Sequence, residues 1–389
     1  MLLSLYLHFP FCKRKCSYCD FCSAAEPEAT MIAYGRALET EIRLMGERYG
    51  HARVDTVFLG GGTPSVMPVP AMRAILRTLR ETFTLLPDAE FTSEANPGTL
   101  THPWLDTLTA AGMNRLSLGV QAAQDRLLRE IGRIHTLREA REALTMARAH
   151  GLSNLNADAM FGLPGQACED YLETLNVLVG EGITHLSAYA LILEEGTPLF
   201  GRVAAGSARL PDEDAVADMM EAGVRLLADR GYARYEISNF ARPGFACRHN
   251  QGYWRQKPYL GLGLSAASLL PAPPDEPDVR YLRRANTTCL ETYLLAGAEG
   301  RLPPAAEERI GPEEAMFETV LLGLRTVEGL RYKDFERMHG QRITDVYGDA
   351  ILRLTEEGLL LPPADAEPVL ALTERGMSLQ NTALMAFMR

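Results

Sequence analysis

His8-Phe-Pro-Phe-Cys12-Lys-Arg-Lys-Cys16-Ser-Tyr-Cys19-Asp-Phe-Cys22 is the stretch on which the reading of this chain turns. It carries four of the seven cysteines. Thiolates are soft ligands, and a cluster of them on one short loop points to a metal centre. The spacing lets the sulfurs of Cys12, Cys16 and Cys19 approach one another while a further coordination position stays open. A structural zinc site brings two Cys-x-x-Cys hairpins together, and no second hairpin follows downstream. The bacterial ferredoxin run has shorter spacing and a proline after its last cysteine, and this stretch has neither. On the residues alone, a zinc knuckle or chance clustering stays open as the plainer alternative.

Outward from that loop, composition narrows the field. A chain of 389 residues is long enough for two domains and a large core. Its net charge of −11 argues against nucleic-acid binding, which shows a basic surplus. No apolar run approaches the roughly 18–20 residues that span a membrane, so an integral membrane protein is not expected. The opening Met1-Leu-Leu-Ser-Leu-Tyr-Leu7 lacks basic residues ahead of it and a small-residue cleavage site after it, so it reads as a buried strand rather than an export signal. With unpaired cysteines, the expected compartment is a reducing cytoplasm.

Strand-like segments recur at 3–8, 54–59, 89–94, 115–120, 155–161 and 185–192, with helical patterns between them. Met31, Tyr34, Leu38, Ile42, Met45 and Tyr49 make one apolar stripe. Thr136 and Glu139 form a capping box, and a third helix follows Pro211-Asp212. Six β–α units in series predict parallel strands with helices outside, an α/β partial (β/α)6 barrel whose working face lies at the C-terminal strand ends. The first strand delivers the cysteine loop to that face. The other strands deliver Gly60-Gly61-Gly62-Thr63, Glu94, Gln121 and Asp158 to the same rim, together the makings of a ligand site. The glycine run is neither a P-loop nor a dinucleotide fingerprint. Three glycines allow close approach to a ligand and are expected to leave amides and carbonyls free for it.

The spacing Cys-x-x-x-Cys-x-x-Cys, with Tyr18 before the third cysteine, resembles that of the radical S-adenosylmethionine enzymes. The resemblance implies a [4Fe-4S] cluster on Cys12, Cys16 and Cys19, with the fourth iron left for the methionine moiety; Cys22 is not assigned as a ligand. The segments HFPFC, CSYC, GGGTPS, SEANPGTL, LSLGVQ and GLPGQ, joined by His249-Asn-Gln-Gly-Tyr253-Trp254, are similar to the HemW family across nearly the whole chain. HemW proteins resemble the oxygen-independent coproporphyrinogen III oxidase HemN but are regarded as haem chaperones. Carried over position by position, the family's S-adenosylmethionine contacts fall on Tyr6, Gly61, Gly62, Thr63, Glu94, Gln121, Arg133 and Asp158. The proposed haem ligand falls on His249, beside Tyr253 and Trp254, with Cys247 as a thiolate alternative.

Two departures matter. Phe21 stands where HemN has a fourth cysteine, and the cysteine loop begins at residue 12, without the long segment HemN carries before it. Both favour the chaperone over the oxidase. Where relatives read Gly-Leu-Gly-Pro-Gly-Ala-His-Ser, this chain has Ala267 in the histidine position. The expected organisation is a barrel with its HNxxYW region over 1–275, an irregular linker over 276–311, and a small winged-helix-like α+β module over 312–389. Within the module, 358–362 and 369–376 are expected to pair as a hairpin. The implied partners are haem and acceptor haemoproteins, membrane respiratory enzymes among them. The rival reading is a radical decarboxylating oxidase acting on coproporphyrinogen III.

Overall fold

In the computed structural model, which describes residues 1–388 except 365, one twelve-stranded sheet organises most of the chain. Its centre is six parallel strands in sequence order: β1 (Leu2–Phe9), β2 (Arg53–Gly61), β3 (Thr84–Ala95), β4 (Arg115–Gln121), β5 (Asn154–Phe161) and β6 (His185–Ala190). The expected strands and partial barrel are there. Both faces of β1 are covered: Leu3, Leu5, Leu7 and Phe9 on one face are fully buried, and Ser4 and His8 on the other are buried too. The helix Glu28–Tyr49 turns the expected stripe inward, with Tyr34, Leu38, Ile42 and Met45 in the core. Thr136 and Glu139 close the capping box on the helix Leu137–Ala149.

Beyond β6 the chain extends both edges. β7 (Ala233–Arg234) pairs antiparallel with β8 (Asn239–Ala241), which itself pairs antiparallel with β6. β9 (Tyr259–Leu262) crosses to the opposite edge and lies parallel to β1. β10 (Ala267–Pro271), β11 (Tyr281–Asn286) and β12 (Ala305–Ile310) then continue as an antiparallel meander. The expected irregular linker over 276–311 is therefore corrected: it holds two strands of the main sheet and the helix Leu290–Ala298. The prolines between 271 and 277 mark only the connection between two antiparallel strands. The strand pattern was masked by Arg283 and Arg284, of which Arg284 is buried and donates to the Pro303 carbonyl at 3.2 Å.

A second core, built from Val320, Leu324, Phe335, Ile351, Leu354 and Phe387 among others, belongs to the C-terminal module. Its helices are Pro312–Gly323, Tyr332–His339 and Ile343–Glu356. The hairpin forms only in part. Leu360 bridges Leu372 antiparallel, while β14 (Val369–Leu370) pairs instead with β13 (Leu330–Arg331). Among the described residues, no helix is long and apolar enough to cross a membrane.

Candidate functional site

At the C-terminal ends of the six parallel strands lies a cavity of about 410 Å³. Cys12, Cys16, Cys19 and Tyr18 line it, as do Gly61, Gly62, Thr63, Glu94, Gln121, Arg133 and Asp158. Residues spread over almost 150 positions of sequence thus meet because parallel strands present their ends on one rim.

The cysteine loop is tied to that rim by backbone bonds. The Gly62 amide donates to the Phe9 carbonyl at 2.8 Å and the Thr63 amide to the Phe11 carbonyl at 2.7 Å. A Cβ on Gly62 would stand 2.6 Å from the Phe11 oxygen, and one on Gly61 (φ +103°) would stand 2.5 Å from the His8 ring. The glycines therefore let the cysteine loop and His8 pack against β2. Their amides are not free, contrary to the expectation above: the Gly61 amide goes to Glu94 at 3.2 Å. Thr63 also reaches the Cys12 sulfur, at 3.4 Å from its hydroxyl.

Charge is arranged sharply around the thiols. Arg133 donates to the Cys16 sulfur at 3.4 Å and to the Gly119 carbonyl, and its Nε has no partner. A buried guanidinium with a spare donor suits an anionic group in the cavity. Glu94 faces cavity space rather than bulk water; burial first, and Asp158 second, push its carboxyl up to about 8. Burial also raises Asp158. Asn156 donates to Asp158 at 2.8 Å, His185 bonds Asn156 at 2.6 Å, and Tyr235 bonds the other His185 nitrogen at 2.7 Å. This chain holds Asp158 in one orientation. Gln121 sits at φ 74°, a left-handed conformation rare outside glycine, and accepts from the Tyr189 hydroxyl at 3.1 Å. Such strain is characteristic of functional positions.

The donor set fits an iron–sulfur cluster and its cofactor. Three thiols line one wall, a buried cation contacts one of them, and two carboxyls deprived of water face them. Among the described residues, no three Cys, His, Asp or Glu side chains stand as a group that would hold a metal ion. A cubane asks less of the loop, since each thiolate takes its own iron. Cys22 does not line the cavity; its thiol points to the Thr288 carbonyl at 3.9 Å.

Two expected site residues lie elsewhere. Tyr6 lines a separate cavity and bonds His8 Nδ1 at 3.1 Å. His249 is 1% exposed, in the helix Arg248–Trp254. Its Nδ1 meets the Thr56 hydroxyl at 2.8 Å and its Nε2 the Tyr253 hydroxyl at 2.9 Å, while its ring stacks on Phe58. Burial, then the nearby Lys257 and Arg115, lower its pKa to about 3, so the imidazole is neutral. Cys247, the thiolate alternative, is wholly buried and donates to Glu90 at 3.4 Å; burial pushes its thiol up to about 12. Glu90, which sequence reasoning passed over, also accepts from the amides of Arg248 (2.9 Å) and His249 (3.0 Å). It stands beside Thr56 in the β2–β3 ladder, so two neighbouring strand residues grip the whole helix. The only signal for Glu90 in sequence was a carboxylate inside an apolar strand.

Residues 6–178 match the Radical SAM superfamily, so the fold and cavity define a radical S-adenosylmethionine protein. Residues 310–379 match the HemN C-terminal domain. Heme chaperone HemW of Escherichia coli K12 is 36% identical over 388 residues, covering 99% of this chain and 98% of that protein. Heme chaperone HemW of Bacillus subtilis 168 is 32% identical over 386 residues, covering 99% of each. The chain belongs to the HemW family. Among solved structures, coproporphyrinogen III oxidase (HemN) from Escherichia coli shares the fold, with a TM-score of 0.83 at 24% identity, covering 99% of this chain and 89% of that one.

Proposed function

We propose that this protein is a haem chaperone, a radical S-adenosylmethionine protein that binds haem and passes it to acceptor haemoproteins in the cytoplasm, membrane respiratory enzymes among the recipients. The observation that carries the first half is the strand-end cavity, where three thiols, a buried arginine and two raised carboxyls face one another. Membership of a family whose relatives are named haem chaperones carries the second.

In this reading Cys12, Cys16 and Cys19 hold a [4Fe-4S] cluster, and S-adenosylmethionine lies across the cavity. Together they supply one-electron chemistry at a sulfonium when bound. The protein's own part is to bind, orient and shield. Arg133 donates to the Cys16 sulfur and offers its spare Nε–H to a carboxylate. Glu94 gives up its proton to pair with an ammonium. Asp158, held by Asn156, accepts from ribose hydroxyls. Tyr18, packed against the small cluster of Leu127, Leu128 and Ile131, keeps water from the sulfurs. Gln121 contributes a polar group at the strained end of β4, and Thr63 steadies Cys12. Tyr6 stands behind this wall, where it bonds His8 and lines the neighbouring cavity. His249 is the haem ligand, and one of its two nitrogens must be released for that role.

The test is anaerobic reconstitution followed by titration with haem. A Soret band that is lost in His249→Ala supports the chaperone. Turnover of coproporphyrinogen III to protoporphyrinogen IX would replace it with the oxidase.

A further inference from the structure

A second cavity, of about 610 Å³, opens on the far side of Tyr6 and His8. Its size falls within the roughly 300–1,000 Å³ of small-molecule sites. The barrel supplies one side of it; the opposite side comes from the helix Pro312–Gly323 of the C-terminal module, through Phe317 and Leu321. Tyr6, Tyr253 and Tyr259 give it flat aromatic surface, and Ala267 adds only a methyl to its wall. At its polar end Arg283 is already paired with Glu308, at 2.7 Å, and with Glu318; Glu314 lies beside them. That end is net acidic, so a ligand with an anionic edge would enter apolar edge first and leave its charges in water.

Tyr253 separates this cavity from His249. Its ring packs edge-on against Tyr259 at 4.6 Å on the cavity side, and its hydroxyl holds His249 Nε2 on the other. His249 Nδ1 is held independently by Thr56. Metal-ligating imidazoles are oriented in this way, with one nitrogen anchored to the protein and the other presented to the metal. Displacing one side chain would therefore present an oriented, neutral nitrogen to the cavity. The partition from the cysteine cavity is equally thin: the His8 ring, which lines the second cavity, lies directly against the Gly61 backbone, which lines the first.

We propose that the second cavity is the seat of a planar metalloporphyrin, and that Tyr253 is the latch that swings aside to present His249 Nε2 to its iron. This rests on the haem-binding reading above and adds to it the place and the gate. Haem so seated would lie one residue's thickness from the cluster cavity, with the C-terminal module as its outer wall.

The test titrates the cluster-loaded full chain with ferric haem, following the Soret band and low-spin iron resonances. Ala267→Trp and Leu321→Trp fill the cavity from opposite walls, and each should raise the dissociation constant by about tenfold or more, a loss of about 1.4 kcal/mol. Iron–sulfur absorbance and S-adenosylmethionine binding, retained in both variants, report that they fold. Tyr253→Phe keeps the ring but frees His249, and should speed haem binding several-fold. If the unaltered protein binds haem and both tryptophan variants bind it equally well, the seat is elsewhere and the inference fails. If His249→Ala abolishes binding while Tyr253→Phe leaves its rate unchanged, the latch fails. If the unaltered protein gives no Soret band at all, the haem-binding reading falls and takes the seat with it.

Discussion

The two cavities of this protein are neighbours built on opposite principles. The cysteine cavity is assembled from strand ends: its thiols, Glu94, Arg133 and Asp158 already face common space. The second cavity lies between neighbouring strands of the sheet and a helix from another core, and its proposed ligand, His249, is screened from it by Tyr253 with both ring nitrogens occupied. A parallel sheet places functional groups ready-made, because every strand ends on the same rim. A site between two cores forms only as far as those cores set their separation, and its reactive group can be stored inside one of them. The first arrangement suits a cofactor that stays; the second suits a cargo that must leave.

That contrast can be broken most severely at the thiols. Cys16→Ala should abolish the iron–sulfur absorbance of anaerobically reconstituted protein, while Cys22→Ala, whose thiol faces Thr288, should keep most of it. Equal loss in both would make Cys22 a ligand and erase the boundary drawn around the first cavity.

Next in size is Glu90. Its buried carboxylate accepts from Cys247 and from the amides of Arg248 and His249. Glu90→Ala leaves those donors without partners, and stability should fall by about 3 kcal/mol in urea unfolding. Haem binding should go with it while S-adenosylmethionine binding survives under folding conditions. Loss of both together would show that the cavities are not separable.

The cysteine cavity should carry its own pH signature. Glu94 binds its proton up to about pH 8 before a ligand arrives, because burial opposes its charge. Pairing with an ammonium requires the ionised form. The affinity for S-adenosylmethionine should therefore fall as pH drops below 8, by up to about tenfold per unit, and fall again above it as the ligand's own α-ammonium loses its proton. Glu94→Gln should bind weakly and with little pH dependence on the acid side, as isothermal titration from pH 6 to 9 would show. A steep profile retained in the glutamine variant would assign the titration to another group.

The smallest effect is expected at the surface. Arg255, at the end of the His249 helix, pairs with Glu328 of the C-terminal module at 2.7 Å with both side chains at least half exposed. Arg255→Ala should change stability by less than about 1 kcal/mol. A larger loss would mean that the two cores are held together by charge rather than by the packing around the second cavity.

Much of the first cavity was legible before folding. Apolar runs marked the six strands, and once they are parallel their ends must converge, so Gly61, Thr63, Glu94, Gln121 and Asp158 could be placed on one rim. The second region resisted for reasons particular to its residues. Arg283 and Arg284 disguised β11 as linker; one is buried and the other paired with two glutamates, conditions that only neighbouring strands and helices create. Tyr6 was expected among the cofactor contacts because the family resemblance carries that role onto it, on the strand that leads to the cysteines. Adjacency in sequence cannot say on which side of a thin wall a side chain emerges. The motif around His249 advertised a ligand, yet the motif does not contain Thr56 or Glu90, the residues that bury it.

By itself the sequence determined the spacing of the thiols and the order of the parallel strands, because both are set by short-range pattern and chain connectivity. Tertiary structure decided which amides were spent on packing, which carboxyl lost its water, and which nitrogen was locked away. Those outcomes depend on what lies opposite each group across space, and burial and hydrogen bonding act there irrespective of distance along the chain.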